Sequence, residues 1–219
     1  NNSACGLSYV YTSVLIEQRS IAAGINTTGT GLPSSVSISG LPCSGNYVVD
    51  KAYLYFQGSY FSLGLPTPSV TITNPSSGSN TYTSVLAGQD GDKCWGETGT
   101  AVFRTDVTSN ITGNGNYSFD ITGWVNGYDE IDGATLIIIY RDLSVTFQGS
   151  LIIWDGAAAS GAFNLYPTIT IDMTGFTACD NSTYADAFLI VSDMQENVNG
   201  GQHIGRLNGT PYTFNNNFY

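Results

Sequence analysis

The chain has 219 residues, with 17 acidic side chains against 6 basic ones and a net charge of −11. So acidic a chain repels phosphate backbones and anionic lipid, which excludes nucleic acid and charged membrane surfaces as expected partners. Only 11% of residues are charged, against about 25% in an ordinary globular domain. The polar surface must therefore come from Ser, Thr, Asn and Gly. With Lys51 and Lys93 the only lysines, this composition is read as that of an extracellular protein.

Helix signals are nearly absent. The 26 glycines, with Asn, Ser, Asp and Pro, cut the chain into short runs rich in Val, Ile, Thr, Tyr and Phe, the pattern of a β-sandwich or barrel. In chain order the first expected strand is 8–16. The second, 47–59, alternates Ala52, Leu54 and Phe56 with Tyr53, Tyr55 and Gln57. Strands at 70–73 and 82–86 flank the turn signal Asn74-Pro75-Ser76-Ser77-Gly78. Strands at 101–107 and 117–121 follow, although 103–111 also reads as a helical turn capped by Asp106 or Ser109. The runs 134–140 and 150–154 are almost continuously apolar, as expected of strands buried on both faces. A short helix at 157–163 is a weaker alternative because of Gly161 within it and Gly156 beside it. Strands at 169–173, 187–192 and 203–207 complete the set. The expected fold class is all-β, an antiparallel, jelly-roll-like β-sandwich with few or no helices. The expected organisation is a single domain over 1–219, with extended segments at 1–20 and 210–219. No run reaches the roughly 18 apolar residues of a membrane span. Asn1 opens a polar stretch, which suggests a mature form from which any leader has been removed.

Cys5, Cys43, Cys94 and Cys179 show no C-x-x-C spacing, so a zinc ribbon or thioredoxin-type motif is excluded. An even count at wide spacing suits two disulfides in an oxidising compartment. Three pairings exist; Cys5 with Cys43 and Cys94 with Cys179 is preferred, and buried free thiols are the alternative.

Three stretches stand in a distinctive order: VDKAYLYFQGSY at 49–60, DGATLIIIYRD at 132–142 followed by LIIWDGA at 151–157, and FLIVSDMQ at 188–195 with LNGT at 207–210. Together they resemble a family of poorly characterised bacterial and archaeal cell-surface β-sandwich domains, found in large secreted adhesion and gliding-motility-associated proteins. The resemblance covers 47–210. It implies an extracellular location and a β-sandwich, and it brings no catalytic residues. Members of that family sit inside much longer proteins, so this chain reads as either an excised domain or a stand-alone subunit.

Candidate chemistry is sparse. His203 is the sole histidine, it sits in a glycine-rich stretch, and no G-x-S-x-G elbow accompanies it. No P-loop or dinucleotide fingerprint occurs. No enzymatic activity and no cofactor is expected. Structural calcium at Asp90 and Asp92 or at Asp129 and Asp132 is the metal reading, because acidic turns supply the oxygens hard cations need. Glycosylation sequons stand at Asn1, Asn26, Asn110, Asn116, Asn181 and Asn208. Lys51, at the start of a strong strand, is considered for an internal Lys–Asn or Lys–Asp crosslink. Near one end Tyr9, Tyr11 and Ser13 alternate with Val10, Thr12 and Val14; near the other Tyr212, Phe214 and Phe218 alternate with polar Thr213, Asn215 and Asn217, with Asn216 breaking the apolar face. Such terminal strands either pair within their own domain or complete a neighbour's sheet.

The expected function is a non-enzymatic extracellular structural or adhesive protein. The leading form is a subunit of a cell-surface filament assembling by strand complementation, with copies of itself or other surface molecules as partners. A carbohydrate-binding module or jelly-roll glycoside hydrolase is the alternative, and a viral capsid or spike domain the third.

Overall fold

A computed structural model describes residues 2–16, 31–42, 45–60, 64–92, 98–124, 130–159, 170–172, 190, 204–207 and 210–213. The chain divides into two compact units, Asn1–Phe176 and Thr177–Tyr219. The strands of the first are β1 (Asn2–Cys5), β2 (Leu7–Leu15), β3 (Ser34–Ile38), β4 (Tyr47–Tyr60), β5 (Ser69–Thr73), β6 (Ser79–Thr83), β7 (Val85–Gly91), β8 (Gly99–Asp106), β9 (Gly115–Thr122), β10 (Glu130–Asp142) and β11 (Gln148–Leu151). The second unit contains a hairpin of β12 (Ile204–Leu207) and β13 (Thr210–Thr213), with Ile204 opposite Thr213.

Two sheets form the body of the first unit. One has five strands in the order β2-β10-β4-β8-β7, the other four in the order β3-β9-β5-β6. All pairings are antiparallel, and four of them nest: β2 with β10, β3 with β9, β4 with β8, and β5 with β6. The chain therefore behaves as one long antiparallel ribbon doubled at the β5–β6 turn and rolled up, so that β10 also meets β4 and β9 also meets β5. This is jelly-roll connectivity, with β7 added at the β8 edge. The doubling point is well specified. Asn74 Oδ1 accepts from the N–H groups of Ser76 and Gly78, and Ser77 sits at φ 66°, the Asx-turn behaviour that makes asparagine a turn residue.

Alternation places every second residue of each strand between the sheets. Ala52, Leu54 and Phe56 on β4, Phe103 on β8, and Leu136 and Ile138 on β10 face Val36, Val70, Ile72, Tyr117, Phe119 and Ile121 of the four-stranded sheet in one cluster. A second, smaller cluster lies on the opposite face of the five-stranded sheet. There Leu7, Tyr55, Ile137 and Ile139 are buried beneath Ala4, Leu151 and Ile153. The β1–β11 ribbon and the segment that follows it thus make a third layer. The almost continuously apolar run 134–140 is buried on both faces for this reason.

The run 150–154 behaves differently. Its strand ends at Leu151, and Trp154 is exposed, because β11 belongs to the covering ribbon rather than to a sheet interior. Residues 170–172 and 157–159 adopt neither strand nor helix; the rest of the expected 157–163 helix and 187–192 strand, Ile190 apart, lies outside the described residues. In 103–111 strand and turn coexist: β8 runs to Asp106, and a 3-10 turn occupies Thr108–Asn110. Asp106 Oδ1 accepts from the Thr108 N–H.

Two buried polar side chains fix the crossing from β8 to β9. Asn110 is fully buried; its Nδ2 donates to Ile72 O and its Oδ1 accepts from Asn80 Nδ2 at 2.7 Å. The Tyr117 hydroxyl accepts from the N–H groups of Thr112 and Gly113 and donates to Gly113 O at 2.7 Å. A buried tyrosine bonded to backbone a few residues upstream is a recurrent fixture of Greek-key sandwiches.

Candidate functional surfaces

Among the described residues, those singled out from sequence do not converge. Cys5 is an exposed free thiol at the end of β1, where it stands opposite Gln148. Its expected partner Cys43, like Cys94 and Cys179, lies outside the described residues. Asn110 is corrected as a glycan acceptor. Its amide is fully buried and bonded on both sides, and a glycan needs that nitrogen at the surface. Asn116 is exposed on β9 and keeps the required access; Asn1, Asn26, Asn181 and Asn208 are outside the described residues, as is His203.

The acidic turns are also apart. Asp90 Oδ1 accepts from Gly91 N and Oδ2 from Ala159 N at 2.9 Å, so both carboxylate oxygens serve backbone. Asp132 lies buried on β10, three strands from Asp90 on β7, or roughly 14 Å at ordinary strand spacing. Asp129 is outside the described residues. Among the described residues no three His, Cys, Asp or Glu side chains are grouped as a metal site would need.

The β2 strand, with Tyr9 and Tyr11, pairs with β10 along its whole length. Here it is an edge strand of its own sheet. Tyr212 lies on β13 opposite Gly205, and Phe214 and Phe218 are outside the described residues.

Lys51 Nζ stands 2.9 Å from Asp106 Oδ2, with both side chains nearly half exposed. Amide formation needs a neutral amine and a protonated carboxyl. The hydrogen bond and charge of Asp106 raise the Lys51 pKa. Partial burial pushes the Asp106 carboxyl up, but bonds from Thr108 and Lys51 outweigh it and hold the group below its usual value. Both shifts favour an ion pair over a crosslink.

The covered face of the five-stranded sheet holds the main polar cluster. The Arg104 guanidinium pairs with Asp155, and the Tyr55 hydroxyl donates to the same carboxylate at 3.2 Å. Arg104 also lies over the Tyr53 ring, 5.1 Å from its centroid. Burial pushes the Tyr55 phenol up to about 12, with Arg104 opposing and Asp155 adding to the shift. These contacts pin the segment after β11 across β4 and β8. At its far end a Cβ on Gly88 of β7 would lie 2.4 Å from Ala157 N, so only glycine admits this approach. Neither Asp155 nor Gly88 stands out in the sequence, because each matters only through a distant partner.

The outer face of the four-stranded sheet is the contrasting surface. Register and alternation place Ser35 and Ser37 of β3, Asn116, Ser118, Asp120 and Thr122 of β9, Ser69, Thr71 and Thr73 of β5, and Ser79, Thr81 and Thr83 of β6 on it. Asp120 is the single charge. Hydroxyls bond across strands, Thr71 to Thr81 at 2.8 Å and Thr73 to Ser79 at 3.1 Å. The low charge of the composition thus appears as one continuous hydroxyl face. Among the described residues no helix is long and apolar enough to cross a membrane. No family model matches the chain, and neither a curated protein nor a solved structure matches it.

Proposed function

We propose that the chain is a non-enzymatic structural or adhesive component of an extracellular surface, working as a rigid β module in contact with copies of itself or with other surface molecules. The observation that carries this reading is the outer face of the four-stranded sheet, with eleven uncharged polar side chains around Asp120. Few charges there need to be stripped of water when another surface approaches. The three-layer packing beneath supports the same reading, because it gives the face a stiff base. The test is treatment of intact source cells with protease and with antibody to the folded chain, alongside electron microscopy of shed material. Labelling and removal without lysis, with the protein in shed filaments or sheets, is the expected result; a chain reached only after lysis overturns the reading.

The strand order favours a second reading, since jelly rolls serve as lectin and capsid domains. A glycan array separates the first of these from the structural role: saturable, selective binding supports recognition, and turnover of a bound glycan supports a hydrolase.

A further inference from the structure

The edges of the two sheets are defended unequally. On the five-stranded sheet, β7 carries a bulge between Leu86 and Gly88, the charge of Asp90, and the 156–159 segment lying against it. Bulges, charges and covering segments are the usual means of preventing a sheet edge from pairing with another chain. On the four-stranded sheet, β6 carries no bulge and no charge, and the Thr108–Asn110 turn meets it only through the side chains of Asn80 and Tyr82, on the face opposite the hydroxyls. Its sequence is Ser-Asn-Thr-Tyr-Thr, four of its five residues are exposed, and among the described residues it pairs only with β5.

The direction of its free groups follows from the turn. Asn74 N–H bonds to Gly78 O, and Ser84 N–H to Pro68 O. Antiparallel pairs alternate, so Asn80 and Tyr82 direct their backbone groups toward β5. Ser79, Thr81 and Thr83 direct theirs away from the sheet. Three N–H and three C=O groups therefore stand in a row along an uncharged edge, with their side chains on the hydroxyl face.

We propose that this edge pairs with the β6 edge of a second copy, antiparallel and about a two-fold axis through Thr81. The pattern is complementary to itself. Thr81 stands opposite the partner's Thr81, and Ser79 opposite the partner's Thr83, so each outward N–H meets a C=O. The Thr71–Thr81 hydroxyl row continues across the axis, and cross-strand Thr–Thr pairs are favourable. The nearest charge on the face, Asp120, lies two strands back from the junction, so like charges do not face each other. The chain passes from β6 into β7 through Ser84 alone, which keeps Val85 and Leu86, 60% and 38% exposed, beside the contact. The product is a closed, isologous dimer with one continuous eight-stranded sheet. The inference is independent of where the protein resides, because it rests on the edge alone.

The experiment is analytical ultracentrifugation of the full chain over a concentration series, with three variants in a Cys5→Ser background. The parent is expected to pass from monomer to dimer as concentration rises. Thr81→Lys places two ammonium groups across the axis and is expected to weaken the dimer by about tenfold or more. Thr81→Cys is expected to form an intermolecular disulfide under mild oxidation, because directly opposed residues of this pair type lie about 5.5 Å apart at Cα. Thr83→Cys is expected not to, since its copies stand roughly 14 Å apart along the strands. A parent that stays monomeric, a dimer indifferent to Thr81→Lys, or equal crosslinking of the two cysteine variants overturns the proposal. Circular dichroism on each variant identifies loss of fold separately.

Discussion

The outer face of the five-stranded sheet carries Leu7, Tyr55, Ile137 and Ile139 and lies beneath a third layer. The outer face of the four-stranded sheet carries short hydroxyl and amide side chains, with Asp120 its single charge. Both sheets contribute buried apolar side chains to the shared core. The difference therefore lies in what the second face of each must do. The first sheet has no polar alternation on β10 and needs the β1–β11 ribbon to keep it from water. The second turns short hydroxyl and amide side chains outward and needs no apolar cover. A sandwich with one sheet backed and the other bare has one surface for packing and one for contact.

The largest effects test whether the backing is real. Ile137 and Ile138 are neighbours on β10, pointing to opposite faces, and both are almost completely buried. Truncating either to alanine removes a buried aliphatic side chain, and each is expected to cost about 2–5 kcal/mol in chemical denaturation. A cost for Ile137→Ala below about 1 kcal/mol, with a full cost for Ile138→Ala, would break the comparison by showing that only the inner face is packed.

Next in size is Asn110→Ala. It removes the amide that joins Ile72 O to Asn80 and leaves a buried carbonyl without its donor, at a cost of about 1–3 kcal/mol. Expression in a glycosylating host sharpens the same point. The intact mass and peptide map are expected to show Asn110 unmodified, and a glycan there would mean that the crossover is open in the folded protein.

Much of the body was legible in sequence. The strands β2, β4, β8, β9 and β10 follow β-branched and aromatic runs, and the β5–β6 turn follows its asparagine and glycine. The sandwich class came from those runs and the glycine-rich turns between them. β3 was not found, because Ser-Ser-Val-Ser-Ile offers only two apolar residues and its inward face is short. The Asn208-Gly209 dipeptide between β12 and β13 was a hairpin signal that the reading of 203–207 as an isolated strand passed over. Asn110 was taken for a glycan acceptor because a three-residue motif carries no information on burial. The Tyr55–Arg104–Asp155 cluster joins residues about fifty positions apart or more, and no local pattern announces such a meeting.

That cluster gives a pH test of the covering layer. The Tyr55 phenol titrates at about 12 in the folded chain against 10 for the exposed group. Between those values the unfolded chain has lost the proton that the native chain keeps, so the native state is progressively disfavoured. Its contribution is fully present below pH 10 and is lost as pH rises toward 12. Subtracting the stability profile of Tyr55→Phe from that of the parent isolates this fall from the other tyrosines. A flat difference would mean that the segment after β11 does not shield the phenol.

The smallest expected effect bears on the bare face. Ser118 lies near its centre, between Ser35 and Thr73, and its side chain is exposed. Ser118→Lys adds a long cation to a surface whose only charge is the carboxylate of Asp120, two residues along the same strand. If solvent covers this face, the ammonium stays hydrated, and the change in stability is within about 0.5 kcal/mol. If another part of the chain lies over the face, the lysine must be desolvated or must displace it, and the cost rises well beyond that figure. Denaturant melts of the dilute protein read the intramolecular case. The same melts repeated at high protein concentration read any cover supplied by a second copy, so the pair of measurements decides whether the hydroxyl face is open by itself.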